Sequence, residues 1–250
     1  MNDELYVEAK RNIANFNIDD TYYPHLLSCD FIKSNDISNK VYCKDGSFNK
    51  NGNKVIFSNG VTNCRVYIGS NFRGNLNIQI QQNNCIVYVG DTCNLRDLEI
   101  RTQSLGSCVL IGNGVTTTGK NTWLTGSFPG SKYGSIVIGD DCLFSYDVTI
   151  RGSDGHPIMS FDFSKQINEP TSYVVVEPYV WIGQDVSIVK SVRIGGASII
   201  GIASVVTRSI PRFSQAYGVP AKFDKSKGIW IKNRTPLSIE TAKKYMDMFK

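Results

Sequence analysis

The chain has 250 residues, of which 41% are hydrophobic, so it can bury a full core as one large domain or as one domain with appendages. Its formal net charge of +5 comes from lysines and arginines that are scattered along the chain. A nucleic-acid-binding surface normally shows these charges clustered in a stripe, so the composition argues against that class of protein. A weak positive field remains compatible with an anionic substrate or cofactor.

The sequence does not indicate export or membrane insertion. The first residues, MNDELYVEAKRN, contain no apolar signal-peptide core, and no stretch approaches the roughly 18 apolar residues that span a bilayer. The seven cysteines form no CxxC pair and most lie in strand-like runs. This favours buried, reduced thiols over a disulfide framework or a zinc cluster, and we expect a cytoplasmic protein.

Residues 1–45 lack the repeat that dominates the rest of the chain. We predict a cap region of mixed structure here, with a short helix near residues 3–14. His25, in the segment YYPHLLS, lies in this cap and is predicted to be structural.

An aliphatic residue followed by glycine recurs from residue 68 onward, at Ile68, Val89, Ile111 and Ile138. The first two spacings are 21 and 22 residues, which equal one 18-residue coil of three hexapeptides plus a few residues at a corner. The third spacing, 27 residues, predicts a longer insertion around GSFPGSKYG.

The repeat is interrupted after Ile150 by RGSDGHPIMSFDFSKQINEPTS, which has no six-residue pattern. We predict that residues 152–173 form a loop extruded from the coil. The loop carries His156, and loops on a rigid scaffold are where functional residues concentrate.

The repeat is strict over residues 182–207. Its aliphatic positions lie six residues apart, at Ile182, Ile188, Ile194, Ile200 and Val206. A helix needs a period near 3.6 and a half-buried strand needs simple alternation, so neither explains this spacing. Short strands joined by tight corners do, and three such strands close one triangular coil. We predict an all-β protein whose parallel β-helix spans residues 46–222.

The last segment, residues 223–250, is predicted to be a tail that ends in a helix over residues 238–249. Ser238 is the predicted N-cap, with Thr241 at the third helical position.

The segment VWIGQDVSIVKSVRIGGASIIGIASVVTRSIP and the later AYGVPAK resemble the C-terminal half of the hexapeptide-repeat acyltransferases, which are left-handed parallel β-helices. The resemblance covers roughly residues 135–225. Within that superfamily, SYDVTIRGSDGHPI followed by VWIG most resembles the bacterial polysaccharide O-acetyltransferases, including those that acetylate sialic acid capsules. The resemblance implies direct transfer of acetyl from acetyl-CoA to a saccharide hydroxyl, without a metal. It also implies a homotrimer with active sites between subunits.

The same resemblance implies a catalytic role for His156 and Trp181. An alcohol is a poor nucleophile at neutral pH, and a neutral imidazole can remove its proton and return it to the departing thiolate. His156 is the candidate base, Asp154 the candidate that orients its ring, and Trp181 the aromatic group that faces the donor and acceptor.

The resemblance also implies contacts with acetyl-CoA, which we assign to single residues of this sequence. Backbone groups near Gln184, Ile202, Ala203 and Thr207 are expected to meet the pantetheine amides. Arg208, Lys222 and Lys225 are expected to meet the phosphates. One departure is that the family usually has Gly-Ala-Gly-Ser where this chain has Gly201-Ile202-Ala203-Ser204, and the bulkier pair narrows the expected channel.

The acceptor site is less specified by the sequence. Tyr173, with Met159, Phe161 and Phe163 of the loop, is a candidate sugar platform, and Tyr217 is placed near the donor arm by the resemblance. With two histidines, the chain lacks the three-histidine zinc set of a β-helical carbonic anhydrase, and no P-loop or dinucleotide fingerprint is present.

Two alternatives stay open at this stage. One is an N-acetyltransferase that acts on an amino sugar or a sugar nucleotide, although the 45-residue N-terminal cap is small for a separate nucleotide-binding domain. The other is a catalytically inactive trimeric β-helix that serves as a scaffold.

Overall fold

The computed structural model describes residues 1–26, 28, 30–49, 52–126 and 133–250. Cys29 and most of the predicted insertion GSFPGSKYG lie outside the described residues. Two α-helices, α1 (Asp3–Asn12) and α2 (Pro236–Phe249), lie near the ends of the chain, and short 3₁₀ turns occur at Asp20–Tyr22 and Gly46–Phe48.

Short β-strands make up most of the remaining structure. In chain order they are β1 His25–Leu26, β2 Ile32–Lys33, β3 Lys40–Cys43, β4 Lys54–Phe57, β5 Arg65–Ile68, β6 Arg73–Ile80, β7 Ile86–Val89, β8 Asn94–Thr102, β9 Cys108–Ile111, β10 Thr116–Thr117, β11 Asn121–Leu124, β12 Ile136–Ile138, β13 Leu143–Phe144, β14 Val148–Arg151, β15 Val174–Val176, β16 Trp181–Ile182, β17 Ser187–Ile188, β18 Arg193–Ile194, β19 Ile199–Ile200, β20 Val205–Val206, β21 Ser214–Tyr217 and β22 Lys222–Lys225.

The strands stack in three faces that the chain visits in turn. The first face contains β3, β5, β7, β9, β12, β15 and β18. The second contains β10, β13, β16, β19 and β21, and the third contains β4, β11, β14, β17 and β20. Strand β8 runs through the corner between the last two faces, because its start pairs with β10 and its end with β11. Strand β6 does the same alongside it.

The interior is filled by the side chains that the repeat predicts. Ile182, Ile188, Ile194, Ile200 and Val206 are all fully buried. Coil after coil, they join one continuous apolar core. The fold class predicted from the six-residue repeat is therefore confirmed, and the cysteines in the described part of the chain are buried as expected.

Parallel pairing begins earlier than the predicted boundary at residue 46. Strand β3, inside the predicted cap, already pairs in parallel with β5 over Lys40–Cys43. At the other end, β22 pairs with β21 in antiparallel fashion, so it closes the stack and does not extend it.

The tight corners require backbone that most residues avoid. At the corner between the second and third faces, Asp147, Asp185 and Ala203 have φ values of 59°, 57° and 55°. Aspartate and asparagine tolerate this left-handed conformation better than bulkier residues. The residues that follow these corners therefore keep their register from coil to coil.

Helix α1 confirms the helix predicted near residues 3–14. It packs on the outside of the first face, where Leu5, Ala9 and Phe16 meet Tyr88 and Val137 in a second apolar cluster. No helix in the described part of the chain is long and apolar enough to cross a membrane.

The terminal helix begins earlier than predicted. Its N-cap is Thr235, whose side chain accepts a hydrogen bond from the N–H of Ser238, and Pro236 occupies the first turn. Proline suits that position because its fixed φ matches a helix and its missing N–H would have no partner there. The prediction of Ser238 as the N-cap is therefore wrong.

A buried carboxylate ties both ends of the chain to the β-helix. Glu177 accepts hydrogen bonds from Arg212 (2.6 Å), Arg193 (3.2 Å) and the N–H of Gly196 (3.0 Å). Arg193 also pairs with Glu8 of α1 at 2.5 Å. Burial acts to raise the pKa of Glu177, but the hydrogen bonds and charges of these partners outweigh it and hold the pKa below its ordinary value of 4.5.

The Arg212 guanidinium lies 4.6 Å from the ring centre of Phe249, so the same network reaches α2. A carboxylate with a lowered pKa stabilises the fold above its unfolded pKa, and this stabilisation is lost as the pH falls through its folded pKa. We expect Glu177→Gln to lower the free energy of unfolding by about 1–2 kcal/mol at pH 7 and by less below pH 4. Denaturant titrations at both pH values measure this difference.

Glu240→Gln is the matched control, because Glu240 is an exposed residue of α2. A deficit in Glu177→Gln that stayed the same from neutral to acid pH would rule out the ionised carboxylate as its cause.

Candidate functional site

The extruded loop leaves the β-helix at the end of β14, on the third face. Gly152 follows Arg151 and packs so closely on the preceding coil that a Cβ atom there would collide with the carbonyl oxygens of Gly134 and Thr125. No strand intervenes before β15 begins at Val174, as predicted. The loop therefore emerges from the corner between the third face and the first.

Asn168 closes the base of this loop. Its Nδ2 donates to Asp154 Oδ2 at 2.7 Å and to the carbonyl oxygen of His156 at 2.9 Å. Its Oδ1 accepts from the N–H of Ile158 at 2.7 Å. The amide of one buried side chain thus binds the backbone at His156 and Ile158 and the side chain of Asp154.

Lys190, at the corner after β17, anchors this cluster to the β-helix. Its Nζ donates to the carbonyl oxygen of Asn168 at 2.5 Å and forms an ion pair with Asp154. Ser191 accepts hydrogen bonds from the N–H groups of Thr171 (2.9 Å) and Ser172 (3.3 Å) on the returning limb. The loop is therefore held at the start, the middle and the end of its base.

These contacts correct the expected role of Asp154. Its carboxylate binds Lys190 and Asn168, and within the described residues no hydrogen bond joins it to the His156 ring. Asp154 is an anchor of the loop in this structure. The His156 side chain is exposed, so its ring is free to meet a ligand or a second chain.

Trp181 begins β16 on the second face. It is 38% exposed and lies in register between Leu143 and Ile199. Its ring centre is 6.2 Å from that of Trp230, which stacks on Tyr179 at 4.4 Å. The tail that leads to α2 thus supports one side of the Trp181 ring.

Gln184, Ile202 and Ala203 lie at the corner between the second and third faces, one coil above another. The N–H of Ala203 donates to the carbonyl oxygen of Gln184 at 2.8 Å. This N–H links two coils, which leaves the carbonyl oxygen of Ala203 as the candidate contact for pantetheine. The Ile202 side chain is 65% exposed, so this corner presents an apolar edge.

The remaining cofactor candidates are also exposed. Strand register places Thr207 and Arg208 at the end of the third face, with Arg208 one coil beyond Lys190. Lys222 and Lys225 lie on β22, where they pair with Tyr217 and Ser214. Within the described residues Arg208, Lys222 and Lys225 form no ion pair, so their charges are available.

The two acceptor candidates differ in position. Tyr217 is exposed, and its hydroxyl group donates to Asp224 at 3.1 Å. Tyr173 is only 5% exposed, and its hydroxyl group donates to Asn2, the N-cap of α1, at 3.0 Å. A buried ring offers no face to a sugar, so the expectation that Tyr173 binds the acceptor is corrected. Phe161 and Phe163 of the loop are exposed.

His156 and Trp181 therefore lie at opposite edges of the third face. Six residues separate Gln184, at the corner that follows Trp181, from Lys190, at the corner that holds the His156 loop. At the rise of a β-strand this is a separation of at most about 20 Å. The two candidate catalytic residues therefore belong to different corners, because the His156 loop follows β14 and Trp181 begins β16 of the next coil.

Sequence reasoning missed the residues that position the loop, namely Asn168, Lys190 and Ser191. Their types are common in polar loops and corners, and no spacing marks them. The only available signal was the departure of Lys190 and Ser191 from the aliphatic positions of the repeat, which fits any exposed corner equally well.

Comparison with known proteins identifies the relatives of this chain, although no family model matches it. The polysialic acid O-acetyltransferase of Escherichia coli O1:K1 / APEC is 36% identical over 98 residues, which are 39% of this chain and 32% of the relative. The polysialic acid O-acetyltransferase of Neisseria meningitidis is 32% identical over 129 residues, or 51% of this chain and 56% of the relative. The homologues of this chain thus include proteins named as O-acetyltransferases. The resemblance predicted from the repeat is thus confirmed.

The matched stretches span about a third and about half of these two relatives. Similarity of structure extends further. The crystal structure of the polySia-specific acetyltransferase NeuO matches with a TM-score of 0.59 and 25% identity, and the match covers 88% of this chain and 98% of that one. The β-helix and its flanking segments are therefore shared over nearly the whole described length.

Asn168→Ala tests the positioning of the loop. We expect amide hydrogen exchange in residues 153–160 to accelerate by about tenfold, since a hydrogen-bonded buried group contributes roughly 1–2 kcal/mol to local stability. Lys165→Ala, an exposed side chain in the same loop, is the control and should leave exchange unchanged. Equal exchange in the two variants would mean that Asn168 does not hold the loop.

Proposed function

We propose that the protein is an acetyl-CoA-dependent O-acetyltransferase that acts on a hydroxyl group of a bacterial surface saccharide, such as a capsule component. The observation that carries the proposal is the exposed imidazole of His156 on a loop clamped to a β-helix homologous to O-acetyltransferases. The relatives are named for O-acetyl transfer, so neither N-acetylation nor an inactive scaffold is favoured.

In this proposal His156 is the general base. Its neutral imidazole accepts the proton of the acceptor hydroxyl as the oxygen attacks the thioester carbonyl carbon. The new C–O bond forms, the C–S bond breaks, and the imidazolium returns the proton to the departing thiolate. Because Asn168 binds the His156 carbonyl oxygen, the backbone below the ring stays fixed during both proton transfers.

The exposed groups at the corner between the second and third faces suit the coenzyme. Ile202 and Gln184 form an edge along which the pantetheine arm can lie, and the exposed Trp181 ring precedes this corner on the second face. Arg208, Lys222 and Lys225 supply cations for the phosphates. Acetyl-CoA brings the acetyl group and the thiolate leaving group, and we assign no metal to the reaction.

A homotrimer completes the site in this proposal. His156 and Trp181 lie at different corners of one chain, so a cleft that holds both is formed most simply between two copies. The His156 corner of one protomer then faces the Trp181 corner of the next, which is a heterologous contact that a threefold rotation closes. We place the enzyme in the cytoplasm, where acetyl-CoA is made and consumed.

His156→Ala tests the base. We expect acetyl transfer to a sialic acid oligomer to fall by about 10²–10⁴-fold, with free thiol as the readout, while the KM for acetyl-CoA stays within about twofold. His25→Ala is the matched control, because His25 lies on β1 in the cap. Undiminished turnover in the His156 variant would remove the assignment.

Mixing inactive protomers tests the shared site. If His156 and Trp181 of different subunits meet, then a 1:1 mixture of His156→Ala and Trp181→Ala chains, refolded or exchanged together, contains some intact sites. Each site needs one particular variant on each side, so about a quarter of the sites are active. A mixture that shows no recovery, while light scattering confirms mixed oligomers, would place both residues of a site on one chain.

A further inference from the structure

The tail that leads to α2 carries a tryptophan, Trp230, to which the proposed mechanism gives no role. Trp230 is 7% exposed, and its ring contacts those of Tyr179 and Trp181. Two residues later, Lys232 donates a hydrogen bond to Thr116 at 2.9 Å, in the same outward column of the second face as Trp181. The tail therefore lies over the surface from which the Trp181 side chain projects.

Trp230 is joined to Tyr179 by a reciprocal pair of hydrogen bonds. The Trp230 Nε1 atom donates to the carbonyl oxygen of Tyr179 at 3.0 Å, and the Tyr179 hydroxyl group donates to the carbonyl oxygen of Trp230 at 3.0 Å. The two rings are stacked, with their centres 4.4 Å apart and their planes inclined by 15°. Both buried donors are satisfied within the pair, so the orientation of the Trp230 ring is fixed.

Helix α2 covers the opposite face of the Tyr179 ring. Tyr245 stacks there at 4.8 Å, and its hydroxyl group donates to Asp141 at 2.6 Å. The backbone of Tyr179 has a φ of 62°, in the left-handed region that residues with a side chain rarely adopt. Rings from two parts of the tail thus hold Tyr179 in this conformation, two residues before Trp181 begins β16.

The Trp181 ring has one aromatic contact among the described residues. This contact is with Trp230, whose ring centre is 6.2 Å away and whose plane is inclined by 47°. The strand neighbours of Trp181 are the aliphatic residues Leu143 and Ile199, which flank it along the column. The sideways orientation of the Trp181 ring therefore depends on Trp230.

A cavity of about 140 Å³ lies between the tail and the second face. Its lining includes Leu143, Tyr179, Trp230 and Lys232. Because Leu143 is a strand neighbour of Trp181, a smaller side chain at position 230 would open this cavity toward the Trp181 ring. Side chains relax into space that a truncated neighbour leaves. Trp230 therefore separates the Trp181 ring from a space into which it could turn.

We propose that Trp230 is a positioning residue of the donor site. It keeps the Trp181 ring turned outward, so that the exposed part of the ring meets the pantetheine arm of the coenzyme. Three residues separate Trp181 from Gln184 at the donor corner, which at the rise of a strand is at most about 10 Å. This role rests on the proposed function, because that function gives Trp181 its coenzyme. It adds to the site a residue beyond the stretch that resembles the acyltransferases.

Quenching of tryptophan fluorescence measures the exposure of the Trp181 ring without any turnover. The chain has three tryptophans and Trp123 is fully buried, so the quenchable emission comes from Trp181 once Trp230 is replaced. We expect acrylamide to quench Trp230→Leu about twofold more strongly than Trp230→Phe, because phenylalanine keeps a ring beside Trp181 and leucine does not. Trp230→Met gives the same comparison if the leucine variant does not fold.

Binding of CoA, which carries no acetyl group to transfer, connects the ring to the coenzyme. In Trp230→Phe, saturating CoA should reduce the quenching of Trp181, because the bound arm covers the ring. We expect the Kd for CoA, measured by calorimetry, to be about tenfold higher in Trp230→Leu than in Trp230→Phe. The KM for acetyl-CoA should rise by a similar factor while kcat changes by less than about threefold, as for a contact that serves binding alone.

The matched control is Tyr245→Leu in the Trp230→Phe background. This change removes a stacked ring from the opposite face of Tyr179, and within the described residues no ring contact joins Tyr245 to Trp181. It should destabilise the docked tail, as measured by thermal unfolding. We expect its Trp181 quenching and its affinity for CoA to match those of Trp230→Phe.

The outcomes distinguish this role from the proposed function. If CoA protects Trp181 and binds with the same affinity in every variant, Trp230 has no positioning role and the donor site stands without it. Equal weakening of CoA binding by Trp230→Leu and by the Tyr245→Leu control would also overturn the role, since docking of the tail alone would explain it. If CoA protects Trp181 in none of the variants, the donor assignment of Trp181 fails, and the role of Trp230 fails with it.

Discussion

The structure depends on one constraint, which is that an aliphatic side chain must point inward at every sixth position of the coil. Ile182, Ile188 and Ile194 satisfy it on three successive faces, and each is fully buried. Because the backbone hydrogen bonds run between coils, residues at equivalent positions stack in columns. Neighbouring residues within a column lie about 4.8 Å apart. Outward side chains of the coils therefore also stand in columns, and the corner that carries Gln184 and Ile202 is one of them.

The same constraint explains why the proposed base lies where the repeat fails. A strict coil presents its outward side chains on a flat face, and a flat face does not enclose a substrate. The chain leaves the coil after Arg151 and returns at Val174, and Gly152 allows the departure because no side chain fits against Thr125. The loop lacks the apolar core of the coil. Hydrogen bonds from Asn168 and Lys190 stabilise it instead.

Much of the fold could be predicted from the sequence, because its signals are local and periodic. The buried positions over residues 182–207, the helix α1 and the extruded loop each have a pattern within a few residues of themselves. The error at the second helix was also local. Pro236 and Thr235 carry a start signal as clear as that of Ser238, and the fixed φ of proline decides between them.

The candidate site could be predicted only in part, for a different physical reason. Which side chain meets His156 depends on how a long loop closes, and closure brings together residues such as Asp154 and Lys190 that no spacing relates. Tyr173 was misplaced for the same reason, since its partner Asn2 lies at the far end of the chain. The sequence indicates which residue types can take part in catalysis, but it does not indicate which side chains they contact.

The distance between the two edges of the third face imposes a requirement on assembly. Strand register fixes the Trp181 corner and the His156 corner a full face apart, and no rotation of side chains brings them together within one coil. Catalysis in the proposed enzyme therefore requires a second copy of the chain. A monomer of the proposed enzyme would keep both side chains and lose turnover, because no single chain brings the two corners to one substrate.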